Sequence, residues 1–307
     1  VLWSVLQIFP IFPVYAQTDI SWARPEVRLL KGVPSLPAPD IAGIKPMGMG
    51  NAGLALSDGA ESFFLNPAGL GLYRDSYVEA GFYFHTAAAN RIFNATIADG
   101  RTNPMLSGGL GYSYYMAPRA ADGKIEHISG HIVRLATAYR WQNTISIGLV
   151  LKLIHLDRPF FTPITGVNLD LGLTWQIIPY LSISAVGYNL VYNDSGETPI
   201  AIGFGAAFQH PVGLRIAADW IVDFQSRQKI ANEIGHELRL GASFTIVKVF
   251  TIRAGYHFDH VRDGHFLSFG LGFQHKIFGL EAAFRQQISP SEYLQNRLLG
   301  FTVLFYF

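Results

Sequence analysis

No cysteine occurs among the 307 residues. That excludes a disulfide framework, a Cys-ligated zinc, a Cys nucleophile and a Cys-borne lipid anchor. Charge is scarce: Asp, Glu, Lys and Arg make up 15% of the chain, against about 25% in an ordinary soluble domain. The two signs nearly cancel, at net +1, so the chain lacks the basic footprint of a nucleic-acid-binding surface and no nucleic-acid partner is expected. Beyond the N-terminus there is no run of about 18 apolar residues, which excludes helical membrane spans. What is abundant is apolar (50%), aromatic (14%) and small, with 31 glycines. A chain this apolar, without spanning helices, has to bury its surface by other means.

Residues 1–16, VLWSVLQIFPIFPVYA, read as the hydrophobic region and cleavage end of a signal peptide, with Val14 and Ala16 at the small-residue positions. Neither an initiating Met nor a basic region precedes them, so this signal is expected to be truncated. Residues 17–75 divide in two. The first part is irregular and carries Pro25, Pro34, Pro37 and Pro39, as expected of a periplasmic segment. The second, Lys45–Leu72, is filled with Gly and Ala and closes on Asn66-Pro67-Ala68-Gly69. In that turn Pro fixes φ and Gly admits positive φ. It is expected to form a compact plug, or hatch.

From Ser76 to the end the chain alternates apolar and polar residues. Val167, Leu169, Leu171, Leu173 and Trp175 share one side of a strand; Asn168, Asp170, Gly172, Thr174 and Gln176 share the other. Such segments are about ten to twelve residues long, the length that crosses a bilayer at a tilt. A soluble sandwich uses strands of about five or six. The pattern predicts about fourteen strands over residues 76–307, an even number as in outer-membrane barrels. Tight connections at Gln142-Asn143, Ile178-Pro179, His210-Pro211, Val247-Lys248 and near Ile277 alternate with longer polar ones at 117–129, 157–164, 192–197, 225–234 and 289–295. Short turns on one side and long loops on the other are the signature of that class. The segment 99–104 is too long for a short turn, and the strand before it is the weakest assignment. The fold class expected is therefore all-β: a transmembrane antiparallel barrel with an N-terminal plug, integral to a Gram-negative outer membrane and in contact with its lipid.

The inward set is mixed in sign: Glu79, Arg134, Lys152, Asp170, Arg215, Asp219, Glu237, Arg239 and Arg253, with Arg140, Asp223, Asp259, Glu281 and Arg285. An ion-selective pore shows rings of one sign. Interleaved signs point to salt-bridged networks that brace the wall and hold the plug, with Arg134, Asp170 and Arg239 as holders. His257, Asp259, His260 and His265 cluster in sequence, but a strand places His257 and Asp259 on one face and His260 on the other. His127 and His131 straddle a loop and a strand start. No catalytic residue, metal site or cofactor is expected.

Gly48-Met49-Gly50-Asn51-Ala52-Gly53 matches the dinucleotide fingerprint G-x-G-x-x-G literally. The strand before and the helix after that the motif requires are missing: prolines precede it and a β-meander follows. The succession of G-M-G-N-A-G, Ser57-Asp58-Gly59-Ala60-Glu61-Ser62 and Asn66-Pro67-Ala68-Gly69-Leu70 resembles instead the start of the long-chain fatty-acid transporter (FadL) superfamily. It resembles more closely still that superfamily's short PorV/PorQ-like branch. Lys45 stands where the family pattern usually has an Arg, and the chain's brevity leaves less room for a large hatch.

The resemblance implies passive transport of small hydrophobic compounds, past a hatch that occludes the lumen and out through a gap in the wall. It also implies that the assembly machinery reads the last strand, where Phe301, Val303, Phe305 and Phe307 share a face. Gly and Pro supply breaks in strand pairing. Pro104, Gly108, Gly109 and Gly111 are accordingly expected at a lateral opening beside Asn66–Gly69. The competing reading is that these glycines make room for plug side chains. The alternative function implied by the same branch is an accessory of a protein secretion or attachment system, with Phe160, Phe161 and Pro163 as an apolar loop tip for a protein partner.

Overall fold

Period-two alternation closes into a barrel of fourteen antiparallel strands, each paired with its neighbours in sequence and the last with the first. The computed structural model describes residues 42–85, 90–121, 124–157, 162–191, 198–226, 232–261, 264–289 and 297–307, with the backbone alone for 118–121 and 124–126. The expected signal peptide, nearly all of the proline-rich segment, and Phe160 and Phe161 lie outside the described residues. The strands are β1 (Tyr77–His85), β2 (Arg91–Asp99), β3 (Leu106–Ala121), β4 (Lys124–Trp141), β5 (Ile145–Asp157), β6 (Ile164–Ile178) and β7 (Leu181–Tyr188). The second half comprises β8 (Ala201–Gln209), β9 (Leu214–Asp223), β10 (Gly235–Ile246), β11 (Phe250–Asp259), β12 (Gly264–Gln274), β13 (Phe278–Gln287) and β14 (Arg297–Tyr306). The seam runs unbroken from Tyr77↔Tyr306 to His85↔Leu298. Closure removes the exposed edge that an open sheet would offer to other chains.

The two faces of the wall sit in different surroundings. Outward side chains such as Leu271 (64% exposed), Phe301 (58%) and Phe269 (57%) form an apolar band. Water would penalise so continuous a patch; the hydrocarbon of a bilayer does not. Inward neighbours such as Ser268 (1% exposed) and Thr302 (3%) are polar and buried.

Two connections differ from the sequence reading. The expected loop over 117–129 is a hairpin, because β3 and β4 stay paired as far as Ala121↔Lys124. Once the pair is in register, polar residues extend the ladder as readily as apolar ones, past the length a bilayer needs. The doubtful strand β2 is present, and the long connection after it is an organised turn. Asp99 accepts hydrogen bonds from Ser76 Oγ (2.7 Å), Arg101 N (3.0 Å) and Thr102 N (3.1 Å). Arg101 in turn donates to the Phe307 carbonyl at 2.8 Å, tying the turn to the barrel seam.

Residues 42–75 lie within the lumen. They form a short helix α1 (Ile44–Gly48), a 3₁₀ turn (Gly59–Phe63) and a single helical turn α2 (Gly69–Leu72). Helix α1 packs on β11–β14 and α2 on β3–β5. Glycine is what lets the main chain lie against the wall. Gly50 has φ 66°, and a Cβ on Gly255 of β11 would stand 2.0 Å from the Met49 carbonyl carbon. The G-x-G-x-x-G stretch is therefore a close-packing device, with no βαβ unit around it.

Adding that one methyl should be costly. Gly255→Ala is expected to lose about 1–3 kcal/mol through overpacking against backbone, and to lower the temperature at which the folded band is lost in heat-modifiability gels. Gly108→Ala, on the outward face, should shift that temperature less.

Candidate functional site

Asn66 is the centre of the lumenal turn. Its Nδ2 donates to the Leu54 carbonyl and to Thr174 Oγ1 of β6, each at 2.8 Å, and its Oδ1 accepts from Ala68 N at 3.0 Å. The wall is cut away to receive the turn. A Cβ on Gly148 of β5 would stand 2.2 Å from the Pro67 carbonyl carbon, and one on Gly172 of β6 would stand 2.1 Å from Asn66 Oδ1. A Cβ on Gly69 would likewise stand 1.9 Å from the Ser57 carbonyl oxygen.

The inward charges separate into groups with different tasks. Asp219 of β9 accepts from Gly53 N (2.6 Å) and Leu54 N (3.0 Å), holding lumenal backbone that has no strand partner. Arg239 chelates Glu237 and reaches the Asn51 carbonyl at 3.5 Å. Arg134 lies over the Phe64 ring, 4.6 Å from its centroid, and donates to Ser113. Arg215 pairs with Asp58 at 2.9 Å, and Lys45 reaches Asp58 at 3.4 Å and Glu61 at 3.8 Å. Burial raises the Asp58 carboxyl, but Lys45 and Arg215 outweigh it and bring it down to about 2. Arg253 grips Glu281 with both terminal nitrogens. Glu79 accepts from Thr302 at 3.2 Å.

Asp170, expected among the plug holders, serves the wall instead. Strand β6 pairs with β5 as far as Leu156↔Ile164, but with β7 only from Leu171↔Gly187 downward. Over Val167–Asp170, opposite Asn189–Val191, the ladder on the β7 side is replaced largely by side chains. Asp170 accepts from Asn189 N (2.8 Å) and from Lys152 Nζ (2.6 Å). Asn168 Oδ1 accepts from Val191 N at 3.2 Å, and Lys152 also donates to Asn189 Oδ1. Among the described residues one main-chain bond, Leu190 N to Leu169 O at 2.9 Å, crosses the interruption. Asn189 takes φ 52° to turn the chain away from the ladder, a conformation Asn tolerates better than most residues.

A void of about 10 Å³, roughly one water, lies there among inward Ile154 and Leu156, outward Val167, and Thr198. The lumen beside it is apolar: Ile92, Tyr115, Ile132, Ile154, Leu156 and Leu298 cluster with Ile44 and Met47 of α1.

The lateral opening expected at Pro104, Gly108, Gly109 and Gly111 is not where those residues are. β3 pairs continuously with β2 from Asp99↔Gly108 to Thr96↔Gly111, and with β4 from Leu106↔Tyr139 to Gly111↔Arg134. Gly109 and Gly111 accommodate Phe63, whose ring would lie 2.7 and 3.1 Å from a Cβ at those positions. Pro104 is exposed in the short-side turn.

The histidines divide as the strand geometry requires. His260 stacks on His236 with ring centroids 6.1 Å apart, and His265 bonds Tyr256 on the outer wall at 2.6 Å. His257 points inward and meets Glu237 across the β10–β11 pair at 3.2 Å. With Asp259 these residues bring ligand atoms within 4.8 Å of one another. Sequence spacing concealed that set, since Glu237 lies on a different strand. Arg239 already neutralises Glu237, so the cluster carries its own counter-charge.

Replacing Asn66 by Ala strands the Ala68 N–H and the Leu54 carbonyl in a buried site, at about 1–3 kcal/mol per group left unpaired. Asn66→Ala is expected to keep a heat-modifiable barrel while exposing residues 42–75 to limited proteolysis. An unchanged cleavage pattern would remove Asn66 from this role.

No family model and no curated protein sequence matches the chain. Among solved structures it is similar to a Pseudomonas aeruginosa FadL homologue, with TM-score 0.60 and 11% identity over 86% of this chain and 97% of that one. It is also similar to a deltaS2S3 mutant of the monoaromatic hydrocarbon channel TodX, with TM-score 0.63 and 11% identity over 86% and 98%. A likeness at that identity concerns the fold: the barrel is FadL-like.

Proposed function

We propose that the protein is an integral outer-membrane barrel through which small hydrophobic compounds pass passively. The observation that carries this reading is the interrupted β6–β7 ladder beside an apolar stretch of lumen. A barrel wall is normally sealed by main-chain bonds, which no apolar solute can part. Side-chain bonds exchange more readily, because a rotamer change breaks them without disturbing the strands. The hatch formed by residues 42–75 closes the axial route, so the solute leaves sideways between Val167–Asp170 and Asn189–Val191. Likeness in fold to a FadL homologue and a monoaromatic hydrocarbon channel agrees with apolar cargo. Lys152, Asp170, Asn168 and Asn189 act as the latch. Of the residues behind the protein-partner reading, Pro163 is exposed.

Because the chain has no cysteine, a disulfide lock can be installed cleanly. Leu169→Cys with Leu190→Cys joins main chains that are already hydrogen-bonded at 2.9 Å, within the reach of a disulfide. Proteoliposomes with a lipopolysaccharide outer leaflet, which slows unassisted entry, are expected to take up radiolabelled toluene above the protein-free background about tenfold more slowly with the lock oxidised than after reduction, since about 1.4 kcal/mol of added barrier suffices for that factor. Equal rates in the two states would refute passage at β6–β7.

A further inference from the structure

A second cavity, unrelated to the apolar route, opens at the short-turn end of the barrel. It measures about 250 Å³ and is lined in part by Glu61, Glu79, Tyr77, Lys45, Arg215 and Arg253. Three of its lining groups are buried and incompletely bonded. Glu61 (3% exposed) has no hydrogen bond to either carboxylate oxygen, Glu79 (7%) has none to Oε2, and Tyr77 (1%) has none at its hydroxyl. The cations facing them are already committed. Arg253 is chelated to Glu281, Arg215 is bonded to Asp58, and Lys45 is shared between Asp58 and Glu61 at 3.4 and 3.8 Å. Among the described residues Glu79 has no cation paired with it. The cavity wall therefore presents more acidic groups and hydrogen-bond acceptors than its own cations and donors engage.

We infer that this cavity is a binding site for a small primary amine, whose ammonium group is held by Glu79 and Glu61 with Tyr77 beside them. An ammonium brings three N–H donors and one positive charge, matching the unsatisfied carboxylate oxygens in kind. A bare divalent ion suits the site less well. Among the described residues the His and carboxylate atoms that gather within 4.8 Å are those of Glu237, His257 and Asp259, and the acids of this cavity form no such cage. Hydroxyls of Thr245 and Thr251 and the rings of Tyr73 and Tyr306 line the rest. They offer polar contacts for a second amino group and aromatic faces that attract a cation. Burial pushes Glu61 up to about 8, against the pull of Lys45, so an arriving ammonium at neutral pH drives a proton off this carboxyl.

Isothermal titration calorimetry on the full chain in detergent tests the site, with 1,4-diaminobutane, its neutral isostere 1,4-butanediol, and magnesium chloride as separate titrants. The diamine is expected to bind, with a heat that differs between two buffers of unlike ionisation enthalpy because a proton is released. The diol and magnesium should give no saturable heat. Glu79→Gln should weaken diamine binding about tenfold, the scale of one charge-assisted hydrogen bond, and Glu61→Gln should abolish the buffer dependence. No saturable heat with the diamine, equal binding of the diol or of magnesium, or an affinity unmoved by Glu79→Gln would each overturn the proposal. The comparison of the three titrants needs no variant, so it stands even where a substitution impairs folding.

Discussion

The main chain of residues 42–75 lies inside a barrel whose own backbone groups are already paired, and that is the constraint on which the remaining features rest. Buried N–H and C=O groups without partners are expensive, so the lumenal segment has to borrow partners from wall side chains. Asp219 takes Gly53 N and Leu54 N, Arg239 reaches the Asn51 carbonyl, and Asn66 links Leu54, Ala68 and Thr174. The mixed signs of the lumen follow from this. Anions are needed where N–H groups face the wall, and cations where carbonyls and acids do.

The same substitution of side chain for main chain recurs within the wall. At β6–β7, Asp170 and Asn168 bind the backbone of Asn189 and Val191 in place of strand partners. In the lumen such bonds fix a segment in place; in the wall they form the seam that the proposed lateral route requires to part. Apolar lumen residues beside the seam and polar cavity residues at the short-turn end divide the interior into two chemical compartments, separated by α1 and the Asn66 turn.

Much of the architecture was legible in the sequence, because strand alternation and turn composition are local signals. Strands after β4 fall within a few residues of where alternation places them, and the C-terminal aromatic strand closes on β1 as a barrel requires. What depended on register between strands was not legible. Glycine carries one signal for two situations, close approach and broken pairing. Gly109 and Gly111 belong to the first, whereas the interruption that exists is marked by Asn189 at the end of an ordinary strand. Asp170 looked like a plug holder because its inward face was evident and its partner, Lys152 across the β5–β6 pair, was not. Glu61, whose burial is severe, sits in a stretch whose small residues gave no sign of a cavity.

The central claim is that the axis of the barrel is shut by residues 42–75 and that traffic is lateral. Planar-bilayer conductance measures this directly, because ions follow an aqueous axial route and are rejected by an apolar side exit. The intact chain is expected to insert without giving stable conductance steps. Stable, voltage-independent ion-conducting steps would show an open axial pore and contradict the account.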